Sequence, residues 1–68
     1  MGGNILTNRE KDVFLLLIRN KSTREIACEL GISEKTVRNH ISNAMQKLGV
    51  KSRAGAVVEL LRMNIITL

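Results

Sequence analysis

An all-α domain of four short helices is what this sequence predicts, on three observations. Proline is absent and Phe14 is the only aromatic residue, so strand signals are weak, while Leu, Ala, Glu, Lys and Arg are plentiful. A hydroxyl residue stands three positions ahead of a glutamate at Thr7/Glu10 and again at Ser22/Glu25, the spacing of a helix-opening capping box. Apolar residues then recur at helical rather than alternating intervals.

The first helix should open at Thr7 and run to about Arg19, with Val13, Phe14, Leu17 and Ile18 facing inward. Leu15 and Leu16 widen its apolar stripe and suggest contact with another subunit or domain; Asn20-Lys21 ends it. Ser22 caps a second helix over Thr23 to Leu30, whose inner face is Ile26, Ala27 and Leu30. Gly31 supplies the left-handed residue that stops it, and Ser33 caps the next helix at once. Ile32 before that cap and Val37 inside the helix fit a hydrophobic staple. The third helix spans about Glu34 to Leu48 and stops at Gly49. Ser52 caps a fourth, about Arg53 to Met63, with Val57, Leu60 and Leu61 inward; Val58 and the terminal Ile65-Ile66-Thr67-Leu68 would leave apolar surface over.

The chain's 68 residues suit one domain, 1–68. At this size only about 60% of the unfolded surface is buried, which leaves little room for a catalytic cleft. No triad, paired-carboxylate or phosphate-loop spacing occurs, so neither enzyme activity nor a cofactor is expected. Cys28 is the only cysteine, which rules out an intrachain disulfide and a cysteine-based zinc site and suits a reducing cytosol. His40 has no second ligand for a metal. The longest apolar run, Val13 to Ile18, is far too short to span a bilayer, and the opening Met1-Gly2-Gly3 does not resemble a signal peptide.

The net charge of +5 points to a polyanionic partner. It is concentrated in residues 33–53, where Lys35, Arg38, Lys47, Lys51 and Arg53 face only Glu34, a surplus of +4. At about 100° per residue, the third helix sorts into strips. Val37, Ile41, Ala44 and Leu48, with Met45 at the margin, form the core stripe. Lys35, Arg38, Asn39, Ser42 and Gln46 lie opposite, and Thr36, His40, Asn43 and Lys47 lie on one flank.

A three-residue turn containing glycine, followed by such a helix, is the pattern of a helix-turn-helix. The second helix braces on the DNA backbone and the third enters the major groove. Arg38 can fork onto guanine and Asn39 can pair with adenine, whereas Lys35 can reach a guanine or a phosphate. Ser42 and Gln46 add adaptable hydrogen bonds. Thr36, His40 and Lys47 lie at the azimuth of one phosphate strand, and the amides near Thr23 can hold a phosphate on the other.

LTNRE near the start, STREIACELGISEKTVRNHISNAMQKLGVKSR in the middle and AVVEL near the end resemble the LuxR-type helix-turn-helix family over about residues 6–63. Within it the chain looks like the small stand-alone sporulation regulators, or like the excised C-terminal domain of a longer member. The resemblance implies a four-helix transcription-factor domain with its helix-turn-helix unit at about 23–42. It implies base contacts from Arg38, Asn39 and Ser42, and backbone contacts from Lys35, Thr36, His40 and Lys47, beside the Thr23 amides. It also implies a homodimer through the last helix, where Val58, Leu61 and Met63 could serve, with RNA polymerase as a further candidate partner. Gly31 departs from the bulkier residue common in the family's turn, and the tail after Met63 is this chain's own. The expectation is therefore a cytoplasmic, sequence-specific regulator that binds double-stranded DNA. The alternative is a basic helical module that docks an acidic protein.

Overall fold

A computed structural model describes residues 5–67. Four helices follow one another: α1 (Asn8–Leu17), α2 (Thr23–Leu30), α3 (Glu34–Leu48) and α4 (Arg53–Arg62). The second and third have the bounds read from sequence. The fourth stops one residue early, and α1 ends at Leu17 rather than Arg19.

Each helix opens in the same way. Thr7, Ser22, Ser33 and Ser52 lie in extended backbone, and each hydroxyl accepts the amide three residues on, from Glu10, Glu25, Thr36 and Gly55. This satisfies an amide that the helix itself leaves unpaired. At Thr7 and Ser22 the box is reciprocal, because the glutamate accepts the cap residue's own amide at 3.0 and 2.8 Å. That hydrogen bond from the Ser22 amide, with the Ser22 hydroxyl beside it, holds the Glu25 carboxyl below its ordinary value.

Each helix also closes in the same way. Asn20, Gly31, Gly49 and Asn64 are the four described residues with positive φ, at 64°, 69°, 70° and 59°. Beyond them the amides of Lys21, Ile32, Val50 and Ile65 donate back five residues, to Leu16, Ala27, Met45 and Leu60 carbonyls. The left-handed residues themselves donate back three. This is the Schellman arrangement. Two ends use glycine and two use asparagine, the side chain that best tolerates this backbone. At α1 the tightening begins early, with the Arg19 amide on the Leu16 carbonyl, and the regular helix is shortened accordingly. A Cβ added at Gly31 would meet open space, so only backbone strain opposes one. Gly31→Ala is expected to lower stability by about 1 kcal/mol, read from urea denaturation, with Gly31→Asn costing less.

The core consists of Val13, Phe14 and Leu16 from α1, Ile26 and Ala27 from α2, Val37, Ile41 and Ala44 from α3, and Ala56 and Leu60 from α4, with Leu6 and Ile66 closing its ends. Helix α3 packs on all three other helices. Two expectations are corrected here. Leu16 is 6% exposed and Ile66 2% exposed, so both pack inside rather than adding apolar surface. Leu16 does so because α1 is wedged between α2 and α3 and buries more than one narrow stripe. Ile66 does so because the turn at Asn64 folds the tail back, with its amide donating to the Leu60 carbonyl. Leu17, Ile18, Val57 and Leu61, read as inward, are partly buried against the core.

Candidate DNA-reading surface

The strip of α3 opposite its core stripe is open to solvent. Lys35, Arg38, Asn39, Ser42 and Gln46 are all exposed, while Val37 and Ala44 across the helix are fully buried. The separation follows from helical periodicity: a helix pressed on three neighbours must bury its apolar stripe, and the residues half a turn away are left outside. Ser33 and Gly31 fix where the helix starts, so these two residues also set which residues lie at its exposed N-terminal end.

The flank is more occupied. Thr36 is half-buried, and its hydroxyl accepts from Ser33 Oγ at 2.9 Å. His40 is also half-buried. Lys47 is exposed but already holds a partner: its Nζ donates to Glu10 Oε1 at 2.7 Å. Glu10 is 3% exposed and the only buried charged residue among those described. The same oxygen accepts the Thr7 amide at 3.0 Å. Burial alone would push the Glu10 carboxyl up. The hydrogen bonds from Lys47 and Thr7, with the charges of Lys47 and His40, outweigh burial and hold it below its ordinary value.

Arg38 has a neighbour too. Its Nη1 lies 3.7 Å from Glu34 Oε1, one helical turn earlier, with both side chains largely in solvent. The i,i+4 spacing could have signalled this pair from sequence. Nothing local signals the Glu10–Lys47 pair, whose members are 37 residues apart. Thr23, the first residue of α2, is half-exposed beside its Ser22 cap. On α4, Val58 is 62% and Met63 40% exposed, whereas Leu61 is partly buried. Cys28 is exposed and unpaired. Among the described residues no helix is long and apolar enough to cross a membrane, and no group of three or more His, Cys, Asp or Glu is placed to hold a metal.

A short helix capped on the core, a glycine turn and an outward-facing polar, cationic helix together define a helix-turn-helix domain. The chain belongs to the GerE family, described as bacterial regulatory proteins of the luxR family, whose profile matches residues 4–60. It is 73% identical over 60 residues to the spore germination protein GerE of Bacillus subtilis (strain 168), an alignment covering 88% of this chain and 81% of that protein. It is 47% identical over 60 residues to the uncharacterized transcriptional regulatory protein YhcZ of the same strain, but spans only 28% of that longer protein. The solved structure of the transcription factor GerE superposes with a TM-score of 0.93 at 54% identity, covering 96% of this chain and 97% of that one. The response regulator ChrA of a heme-sensing two-component system superposes with a TM-score of 0.86 at 32% identity, covering 97% of this chain and 33% of that one. The protein is a DNA-binding transcription regulator with a LuxR-type helix-turn-helix.

Proposed function

We propose that α3 lies in the major groove of double-stranded DNA and reads sequence through Arg38, Asn39 and Ser42. The observation that carries this is the exposed strip of α3: fork, amide and hydroxyl groups share one solvent-facing side of a helix whose other side is anchored in the core. Arg suits guanine O6 and N7, Asn suits adenine, and Ser adapts to either. Lys35, Thr36, His40 and the amides at Thr23 contact phosphates and set register. Lys47 belongs to this group with its ammonium shared with Glu10. Two copies associate through the exposed part of α4, Val58 and Met63, with Leu61 beneath them, and place two recognition helices on half-sites about one helical turn apart. The similarity to the spore germination protein GerE supports a role in the spore cycle; the proposed setting is the cytoplasm, with RNA polymerase as a further candidate partner.

Selection of bound duplexes from a random pool, followed by footprinting, tests this reading. A recovered two-fold-related site is the expected result. Recovery of no preferred sequence would favour docking of an acidic protein on the same face. Lys35→Ala is expected to weaken specific and scrambled duplexes alike and to reduce the salt slope of binding by about one per protomer. Titrations across a salt series measure it.

A further inference from the structure

We propose that the groove between α1 and α2 is a docking surface for a basic amphipathic helix of a protein partner. This groove, of about 330 Å³, is lined by Asp12, Leu15 and Leu16 of α1, by Arg19 in the turn just after it, and by Glu29 and Leu30 at the end of α2. The α1 residues recur at intervals of three and four, so they form one face, with leucines as the floor and charged side chains as the rim.

The rim carries the argument. The chain has six carboxylate side chains. Glu10 pairs with Lys47, Glu34 with Arg38 and Glu59 with Arg62, and Glu25 is held in its capping box. Among the described residues, Asp12 and Glu29 alone have neither an ion pair nor a capping hydrogen bond, and both line this groove. In a chain of net charge +5, the carboxylates left free are gathered around one apolar depression. Duplex phosphates would be repelled there, and cationic side chains attracted. Arg19, in the turn that closes α1, suits a carboxylate or the carbonyl end of a partner helix. Apolar anchors one turn apart on the partner would fill the leucine floor.

The groove is also clear of the reading helix. At about 100° per residue, Asp12 and Leu15 fall on the side of α1 opposite Glu10, which faces α3 through Lys47. A partner held here and DNA held by α3 are compatible, and the inference does not depend on which bases α3 reads.

The test titrates the ¹⁵N-labelled full chain with a synthetic amphipathic helix of Leu and Lys, and with a Leu/Glu helix of equal length as control. The expected result is amide shifts confined to residues 12–19 and 28–31 with the Leu/Lys helix only. The D12N/E29Q double variant should bind that helix about three- to tenfold more weakly. Its melting temperature and duplex affinity should stay unchanged within about twofold, because both side chains are exposed and off the reading face. Absence of binding, shifts scattered over α3 and α4, or equal affinity of the double variant would overturn the proposal. So would movement of the same amides on dilution of the protein alone, since the occupant would then be a second copy of this chain.

Discussion

Lys47→Ala is expected to lower the stability of the domain by about 1–3 kcal/mol. Removing one member of a fully buried ion pair costs about 3–5 kcal/mol, because the partner charge is stranded. Here the Glu10 side chain is 4% exposed but the Lys47 side chain is 36% exposed, so water partly compensates and the cost falls below that range. In a domain this small such a loss lowers Tm by about 5–20 °C, which thermal denaturation measures directly. Lys47→Met keeps the aliphatic stem and separates lost packing from lost charge. The pair also sets a pH dependence. The Glu10 carboxyl is held below its ordinary value in the fold, so the folded state binds fewer protons there than the unfolded chain does. Its contribution is therefore fully present above the unfolded pKa of about 4.3 and is lost as pH falls through the lower folded value. Glu25, shifted in the same direction, acts in the same window. Glu10→Gln should flatten the acid limb of the stability curve while keeping an acceptor for the Thr7 amide. If Lys47→Ala melted like the parent protein, the tie between α1 and α3 would be energetically idle.

The helix boundaries were legible to the extent that they are local. A capping hydroxyl acts over three residues, and all four caps are readable locally, Thr7 and Ser22 from their spacing to a glutamate and Ser33 and Ser52 from their place between a glycine stop and the next helix. Gly31 and Gly49 were readable as stops because glycine signals left-handed backbone. Asn64 serves the same purpose with a residue equally at home in other turns, so the tail's return to the core was not readable and Ile66 was placed outside. Leu16 was misplaced because burial on α1 depends on two neighbours at once. At the reading surface, the exposure of Arg38, Asn39 and Ser42 followed from periodicity. What Lys47 is attached to did not: an ion pair across 37 residues exists only once α1 and α3 have packed. Periodicity therefore assigns a side chain to a face, whereas the availability of its charge is decided by the tertiary fold.

Arg38→Ala is expected to cost about 1–3 kcal/mol in binding the preferred duplex and to relax discrimination at one base position, with little effect on scrambled DNA. The free protein offers Arg38 a competitor in Glu34, 3.7 Å away. An exposed i,i+4 pair of this kind is worth only about 0.3–0.5 kcal/mol, less than one good fork onto guanine, so DNA can draw the guanidinium away. Arg38→Lys separates charge from shape. It keeps the cation for phosphates but loses the planar fork, so scrambled-duplex affinity should hold while base discrimination falls. Glu34→Gln tests the competition from the other side, because it frees Arg38 and removes a carboxylate from beside the phosphates; binding should tighten modestly on all sequences. Measured affinities of the three variants on the preferred duplex, on one changed at single positions and on a scrambled control resolve these effects. A uniform loss for Arg38→Ala across all three duplexes would make Arg38 a phosphate contact and leave Asn39 and Ser42 to carry the sequence preference.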